Sequence, residues 1–444
     1  MDSTSFRYLL SIAVQLRLET RLLDVVTAYV YGDLETELYI KPPPGFLENT
    51  TSPPPGKHQG LQIKKALYGL KQAGRAWYHH LKMYLLSTGF TTNPALPCIF
   101  VLRENEQFVI LAVYVDDLNS IGTPALSKKV EDILTQKFEM KLLGKTSYCL
   151  GLQVKHIADG SILLHQQTYT KKLIKTFLME NTNALAAPMI GKSKTEDDPY
   201  RPAEPEEEEL DKKQYMAVVG ALLYLATNTR PDISFVVSIL ARHNQKPTTR
   251  HWQGVKHLLR YLRGTEDLGL HFKKGPSAIT GYADSGYKTD PVSGKSQTGY
   301  IFLKNGAPIS WRSMKQTVTA TSTNYAELLA LHEASREAVW LHTMEEAIFQ
   351  MAGLQVKNEP TKIFEDNAAY IEPISSGFIK ADRVKHISPH LFGYTQDLTE
   401  SGQIQVQKIA SADNISDVLT KALPASQHRK LIAAAGMKSL SELE

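Results

Sequence analysis

At 444 residues the chain is too long for one ordinary core, so two or three domains are expected. A hydrophobic fraction of 42% with 22% charged residues excludes a disordered tail, and a net charge of +4 permits nucleic-acid binding without arguing for it. Two cysteines, Cys98 and Cys149, exclude a disulfide framework and a cysteine-based zinc finger, and fit a reducing compartment. The apolar patch from Tyr8 to Val14 is too short to span a bilayer and has no cleavage-site pattern after it, so neither secretion nor membrane insertion is expected.

In chain order, Phe6 to Val14 reads as a short helix, followed by an apolar strand, Leu22-Leu23-Asp24-Val25-Val26, that carries a single acid. A Pro-rich loop spans 41–57, since no helix tolerates that proline density. Lys71 to Gly89 has helical spacing through Ala73, Trp77, Leu81, Tyr84 and Leu85, with Lys71, Arg75 and Lys82 on one flank. The run from Phe108 to Val115 is apolar and rich in β-branched residues. It halts at Asp116-Asp117 and resumes with Leu118 and Ile121, as strand, turn and strand. An isolated Asp-Asp pair is at home in a solvated hairpin tip. With Asp24 it forms a set of three acids at strand ends, which repel one another unless a hard cation lies between them. Oxygen-only ligation suits Mg²⁺, and a pair of such ions drives in-line attack at phosphorus. A helix from about Ser127 to Phe138 and a strand pair, Ser147–Val154 and Ser161–His165, complete an α+β pattern.

From Ala186 to Lys213 acids and prolines dominate, a composition with little to bury, so a linker and a domain boundary are placed there. Helices follow at Tyr215–Thr227, Ile233–Arg242 and His251–Arg263. The last has Trp252, Val255, Leu258 and Leu262 on one side and Lys256, Arg260 and Arg263 on the other, where an ordinary wet face is the plain alternative. Beyond Gly275 come short strands at Ile279–Ser285, Thr298–Leu303 and Ala307–Trp311, a long helix at Tyr325–Gln350, and a buried strand at Lys362–Asn367. Four further acids matter only through the resemblance that their motifs carry, and each has a structural setting of its own. Asp284 ends a buried strand, Glu327 is placed to return a helix-capping bond, Asp366 suits a strand-end turn, and Asp417 suits a helix first turn. His386 and His390 have helical metal-pair spacing, but Pro389 interrupts them and no thiolate lies nearby, so they read as loop histidines.

Tyr114-Val115-Asp116-Asp117 resembles the polymerase signature of reverse transcriptases. The blocks Leu23-Asp24-Val25-Val26-Thr27-Ala28-Tyr29-Val30-Tyr31-Gly32-Asp33-Leu34 and Ala66-Leu67-Tyr68-Gly69-Leu70-Lys71-Gln72-Ala73-Gly74-Arg75-Ala76-Trp77 narrow the likeness to copia-type long-terminal-repeat retrotransposons. Gly281-Tyr282-Ala283-Asp284-Ser285, Thr323-Asn324-Tyr325-Ala326-Glu327-Leu328, Glu365-Asp366-Asn367, Lys385-His386-Ile387 and Ile415-Ser416-Asp417-Val418-Leu419-Thr420-Lys421 resemble that family's ribonuclease H blocks.

The resemblance implies a polymerase palm with a ferredoxin-like core and partial fingers over 1–185, the acidic linker at 186–213, a helical thumb or connection at 214–274, and a separate α/β ribonuclease H-like domain at 275–444. It also implies an RNA-directed DNA polymerase and ribonuclease H. Asp24, Asp116 and Asp117, and separately Asp284, Glu327, Asp366 and Asp417, would be its catalytic Mg²⁺ (or Mn²⁺) ligands. Tyr29 would lie beneath the incoming sugar and Gln72 against the nucleotide. Lys71, Arg75, Lys256, Arg260 and Arg263 would face phosphates, and His386 would be an auxiliary group. The implied partners are an RNA template, a DNA primer, their hybrid and deoxynucleoside triphosphates, with a homodimer or association with other Pol products as further expectations. The implied location is a cytoplasmic virus-like particle, the nucleus, or both. The family's segment before the Asp24 motif is mostly missing, so an amino-terminal truncation is expected. A polymerase-inactive remnant that keeps only ribonuclease H activity or hybrid binding is the alternative.

Overall fold

The computed structural model describes residues 1–46, 60–191, 198–356, 359–367 and 389–444. Part of the Pro-rich loop and His386 lie outside these residues, and for His390 the side chain does. The chain forms two compact units. One comprises Met1, Leu18–Thr146 and Ala347–Gln355, and the other comprises Asp2–Arg17, Ser147–Glu346 and Val356–Glu444. The α+β reading holds in both.

The elements up to the end of the first sheet are α1 (Ser3–Leu16), β1 (Glu19–Val25), β2 (Asp33–Ile40), β3 (Leu61–Lys65), α2 (Ala73–Ser87), β4 (Thr91–Asn93), β5 (Leu96–Glu104), β6 (Gln107–Tyr114), β7 (Asp117–Gly122), α3 (Pro124–Lys137) and β8 (Met140–Lys145). Of these, α1 belongs to the second unit. Strands of the first unit make a six-stranded sheet in the order β4-β5-β6-β7-β1-β8, and β2 pairs with β3 apart from it. Alternate residues of the central strands give the sheet one apolar face on which α2 and α3 both pack. Leu23, Val109, Leu111, Val113 and Leu118 pack with Trp77, Leu81 and Leu85 of α2 and with Val130 and Leu134 of α3.

The second unit adds β9 (Tyr148–Cys149), β10 (Leu152–His156), β11 (Ile162–His165), α4 (Gln167–Thr176), α5 (Lys212–Asn228), α6 (Ser234–Ala241), α7 (Thr249–Arg263) and β12 (Leu268–Phe272). Next come β13 (Thr280–Gly286), β14 (Gln297–Lys304), β15 (Ala307–Lys315), α8 (Thr323–Ala352), β16 (Thr361–Glu365), α9 (Pro389–Glu400), β17 (Ile404–Lys408), α10 (Ala425–Ala434) and β18 (Met437–Ser439). The final turns of α8 count with the first unit. One five-stranded sheet runs β18-β12-β11-β10-β9 and the other β15-β14-β13-β16-β17. In the latter β13, β14 and β15 are antiparallel neighbours, while β16 and β17 join in parallel. Helices α4 to α7 share a core of Leu173, Tyr215, Leu222, Val237, Leu258 and Leu262. Inside it the buried Arg230 guanidinium makes both contacts of a fork to Asp232, at 2.9 and 2.7 Å, as a charge removed from water requires.

Candidate active sites

In the first unit the antiparallel register sets Asp24 of β1 opposite Asp117 of β7, and the Val25 amide donates to the Asp116 carbonyl at 3.0 Å. Because β6 and β7 pair Tyr114 with Asp117, only Val115 and Asp116 form the loop, and Val115 is left-handed at φ 55°. A β-branched residue held there is strained, and such strain persists only where its surroundings enforce it. Here the Trp77 indole donates to the Val115 carbonyl at 2.8 Å, so α2 fixes the loop. Asp116 accepts from the Tyr68 hydroxyl at 2.7 Å through one oxygen, and among the described residues its other, buried oxygen has no hydrogen-bond partner. Lys141 lies 3.5 Å from Asp24. Burial first, and then the charges of Asp24 and Asp116, raise the Asp117 pKa.

The second unit draws its acids together more tightly. β13 and β16 are parallel, with Tyr282 level with Phe364, so two residues further on Asp284 comes level with Asp366. Opposite Asp284 on β14 stands Gly299, where a Cβ would come within 2.6 Å of Thr420 Cγ2 and 2.8 Å of Leu419 Cβ. The missing side chain lets the short helical turn Ile415–Leu419 lie on the sheet, and the Asn414 side-chain amide pins it by donating to the Ala283 carbonyl at 2.9 Å. Asp417 thereby reaches the same place. Single oxygens of Asp284, Asp366 and Asp417 lie within 4.8 Å of one another, as do single oxygens of Glu327, Glu365 and Asp366. Thus all four sequence-expected acids meet, with Asp366 common to both groups. Among the described residues these are the acid groups that gather so closely, and Asp24, Asp116 and Asp117 form a looser set.

Among the described residues one cation, Lys421, is ion-paired to this cluster. The Lys421 ammonium lies 3.0 Å from Asp284 and 2.6 Å from Asp417, and the Thr420 hydroxyl donates to the second oxygen of Asp284. Burial pushes Asp284 up to about 7, with Lys421 opposing the rise and Asp417 adding to it. Glu327 is raised to about 9 by burial and then by Asp284 and Asp366. Glu365 is raised well above the usual carboxylate range by burial and then by Glu327, and Asp417 is raised by burial against the pull of Lys421. Acids held this far from their ordinary state are what a compensating positive charge would relieve. The donors are all carboxylate oxygens, and among the described residues one buried oxygen each of Glu327 and Glu365 has no hydrogen-bond partner, so the set fits a hard divalent cation.

Other expected residues are dispersed. Tyr29 is half-buried with its ring 4.4 Å from that of Tyr68, and Gln72 sits half-buried at the start of α2, from which Lys71 and Arg75 are exposed. On α7, Arg260 donates to the Asn183 carbonyl at 2.7 Å and Arg263 donates to that of Thr182, so both guanidinium groups hold backbone. Lys256 is half-buried on the same helix. The acidic stretch before α5 is held as well, since Arg250 donates to Glu207 at 2.7 Å and to the Pro202 carbonyl at 2.8 Å. Sequence reasoning passed over Tyr68, Glu365, Thr420 and Lys421. Only Glu365 had a local signal, because alternation from buried Ile363 puts it on the core side of β16.

A family model described as reverse transcriptase (RNA-dependent DNA polymerase) matches residues 1–191. The chain is 33% identical over 439 residues to the retrovirus-related Pol polyprotein from transposon TNT 1-94 of Nicotiana tabacum, covering 98% of this chain and 32% of that protein. It is 34% identical over 428 residues to the Pol polyprotein from transposon RE2 of Arabidopsis thaliana, covering 95% of this chain and 28% of that protein. The chain thus spans about a third of the length of the curated relatives it matches. Among solved structures, LC11-RNase H1 in complex with an RNA/DNA hybrid aligns at a TM-score of 0.24 and 18% identity, covering 32% of this chain and 93% of that one. The likeness to Pol polyproteins extends over nearly the whole chain, with the reverse transcriptase model on its first 191 residues, and together they support a copia-type retrotransposon Pol polyprotein.

Proposed function

We propose that the chain is an RNA-directed DNA polymerase with ribonuclease H activity, which copies element RNA into DNA and degrades the RNA strand of the resulting hybrid. The observation that carries the reading is the convergence of Asp284, Glu327, Asp366 and Asp417 from four separate elements on one buried cluster. The facing of Asp24 and Asp117 across β1 and β7 supports it on the polymerase side. Mg²⁺, or Mn²⁺ in its place, is the proposed cofactor, and when bound it neutralises phosphate charge and acidifies an attacking hydroxyl or water.

The chain's own residues orient the reactants. Asp24, Asp116 and Asp117 hold the cofactor beside a primer end, with Tyr68 fixing one Asp116 oxygen. Tyr29 underlies the incoming sugar, Gln72 contacts the nucleotide, and exposed Lys71 and Arg75 face its phosphates. Lys256, with the donors of Arg260 and Arg263 left over from their backbone bonds, lines the template–primer path and gives salt-dependent, sequence-indifferent grip. The proposed partners are therefore RNA template, DNA primer, their hybrid and deoxynucleoside triphosphates. The proposed setting is a virus-like particle, and among the described residues no helix is long and apolar enough to cross a membrane.

Primer extension on poly(rA)·oligo(dT) with Mg²⁺, run beside cleavage of a labelled hybrid, tests the reading. Asp117→Asn is expected to abolish extension and spare cleavage, and Asp366→Asn to do the reverse. Absence of both activities from the unaltered chain would overturn the proposal, and cleavage without extension would reduce it to a nuclease.

A further inference from the structure

Glu365 stands in the Glu365-Asp366-Asn367 block, where only Asp366 was expected to act, yet one of its buried oxygens has no hydrogen-bond partner among the described residues. It is the last residue of β16, 1% exposed, on the same face as fully buried Ile363. Its main chain is occupied in the sheet, where its carbonyl accepts from the Ile409 amide at 3.0 Å. One side-chain oxygen accepts from the Asn367 amide at 3.3 Å, and the other is buried without a hydrogen-bond partner among the described residues. Its neighbours are two more carboxylates, Glu327 and Asp366, with ligand oxygens within 4.8 Å. The ammonium of Lys421 is spent on Asp284 and Asp417. A buried carboxylate with an orphaned oxygen, facing two others, is expensive unless a cation completes it.

We propose that Glu365 is a fifth metal ligand of this cluster, and that with Glu327 and Asp366 it builds a second divalent-cation subsite beside the one formed by Asp284, Asp366 and Asp417. The inference rests on the ribonuclease H reading and deepens it, because it divides the acids into two triads joined at Asp366 and adds a side chain to one of them. Three carboxylates are a hard, strongly anionic donor set, suited to Mg²⁺ and Mn²⁺ rather than to softer ions. Among the described residues no lysine is ion-paired to Glu327 or Glu365, whereas Lys421 is paired to Asp284 and Asp417 of the other subsite. The Glu365 subsite therefore fills first as the cation concentration rises.

The test uses the full chain and Mn²⁺ as probe, counting bound ions by electron paramagnetic resonance and following the Mn²⁺-induced rise in melting temperature. Because Asp24, Asp116 and Asp117 also take up cations, all proteins carry Asp117→Asn as background. Glu365→Gln, which keeps the shape and removes the charge, is expected to lose the tightest-binding ion and weaken its apparent affinity at least tenfold. It should also melt higher than the background protein in chelator, because a buried repulsion has gone. Asp366→Asn, which cuts both triads, is expected to lose both ions. Unchanged Mn²⁺ stoichiometry and affinity in Glu365→Gln would overturn the inference while leaving the nuclease reading intact. Absence of Mn²⁺ uptake by the background protein that Asp366→Asn can remove would sink the nuclease reading itself. Glutamine that melts lower in chelator, with Mn²⁺ binding unchanged, would mark Glu365 as a structural residue and also overturn the inference.

Discussion

Lys421 is the natural place to perturb the cluster, because it stands where a cation is needed and is itself replaceable by one. Its ammonium lies 3.0 Å from Asp284 and 2.6 Å from Asp417. At those separations each attraction is about 5–6 kcal/mol for an effective dielectric constant of about 20, before the cost of desolvation. Removing one partner of a buried pair costs roughly 3–5 kcal/mol. The lysine side chain is 37% exposed, so solvent screening brings the expected loss for Lys421→Met to about 2 kcal/mol. At about 1–1.6 °C per kcal/mol for a body of this size, that lowers the melting temperature by roughly 2–3 °C in EDTA at pH 8. Saturating Mg²⁺ is expected to recover most of the loss, since the ion answers the same two carboxylates, and the Mg²⁺-induced rise should exceed that of the unaltered protein. Differential scanning calorimetry in EDTA and in Mg²⁺ reads both quantities. A variant that melts within 1 °C of the parent in EDTA, or whose loss Mg²⁺ leaves untouched, would refute the reasoning that the ammonium and the metal serve the same charges.

Gly299→Ala adds a Cβ that would meet Thr420 Cγ2 at 2.6 Å and Leu419 Cβ at 2.8 Å. It is expected to cost about 1–3 kcal/mol in urea melts and to lower hybrid cleavage while primer extension is unchanged. Asp284 and Glu327 have folded-state pKa values of about 7 and about 9, above their ordinary 3.8 and 4.5. Their share of stability is therefore whole below about pH 4 and is lost as pH rises, through about 7 for Asp284 and about 9 for Glu327. Chemical denaturation in EDTA across that range should show this downward slope, and Asp284→Asn should flatten its lower part. Lys256→Ala should lower the salt slope of hybrid binding by about 0.9 or less with no change in melting temperature. Arg260→Ala should in addition cost about 1 kcal/mol, because it also releases the Asn183 carbonyl, and calorimetry beside salt-titrated anisotropy separates the two.

The hairpin of β6 and β7 was legible because its apolar run is long, β-branched and broken only by two acids, a pattern that fits few other structures. The helices α5 and α7 were legible from their local apolar spacing, and β13, β14, β15, α8 and β16 were legible as elements in chain order, though not the order of their strands in the sheet. What escaped was decided by distant residues. Arg260 and Arg263 have the spacing of a wet helical face, and only the path of residues 182 and 183 across α7 turns their guanidinium groups to backbone. Strand β8 has an exposed, non-alternating pattern and a register shift against β1, so periodicity could not announce it. Thr420 and Lys421 reach Asp284 because Gly299 leaves room on a neighbouring strand, a relation no local window contains. Glu365 differs, because its core-facing register was available from β16 alone and was overshadowed by Asp366 beside it.

Helix α1 has a consequence for any attempt to divide the molecule. Its residues Phe6, Arg7, Tyr8, Leu9 and Leu10 are buried, and the Arg7 guanidinium donates to the carbonyls of Ile309 at 2.7 Å and Asn228 at 2.9 Å and stacks 4.1 Å from the centre of the Trp311 ring. The body that carries Asp284 and Asp417 is thus sewn from segments on either side of the one that carries Asp24 and Asp117, which interrupts it as a guest interrupts its host. A carboxy-terminal fragment beginning at Ser147 would open an apolar slot and take the Arg7 donors from three carbonyls, those of Thr227, Asn228 and Ile309. A folded version of that body would come sooner from excising Leu18–Thr146 and bridging the gap, or from supplying α1 as a separate peptide.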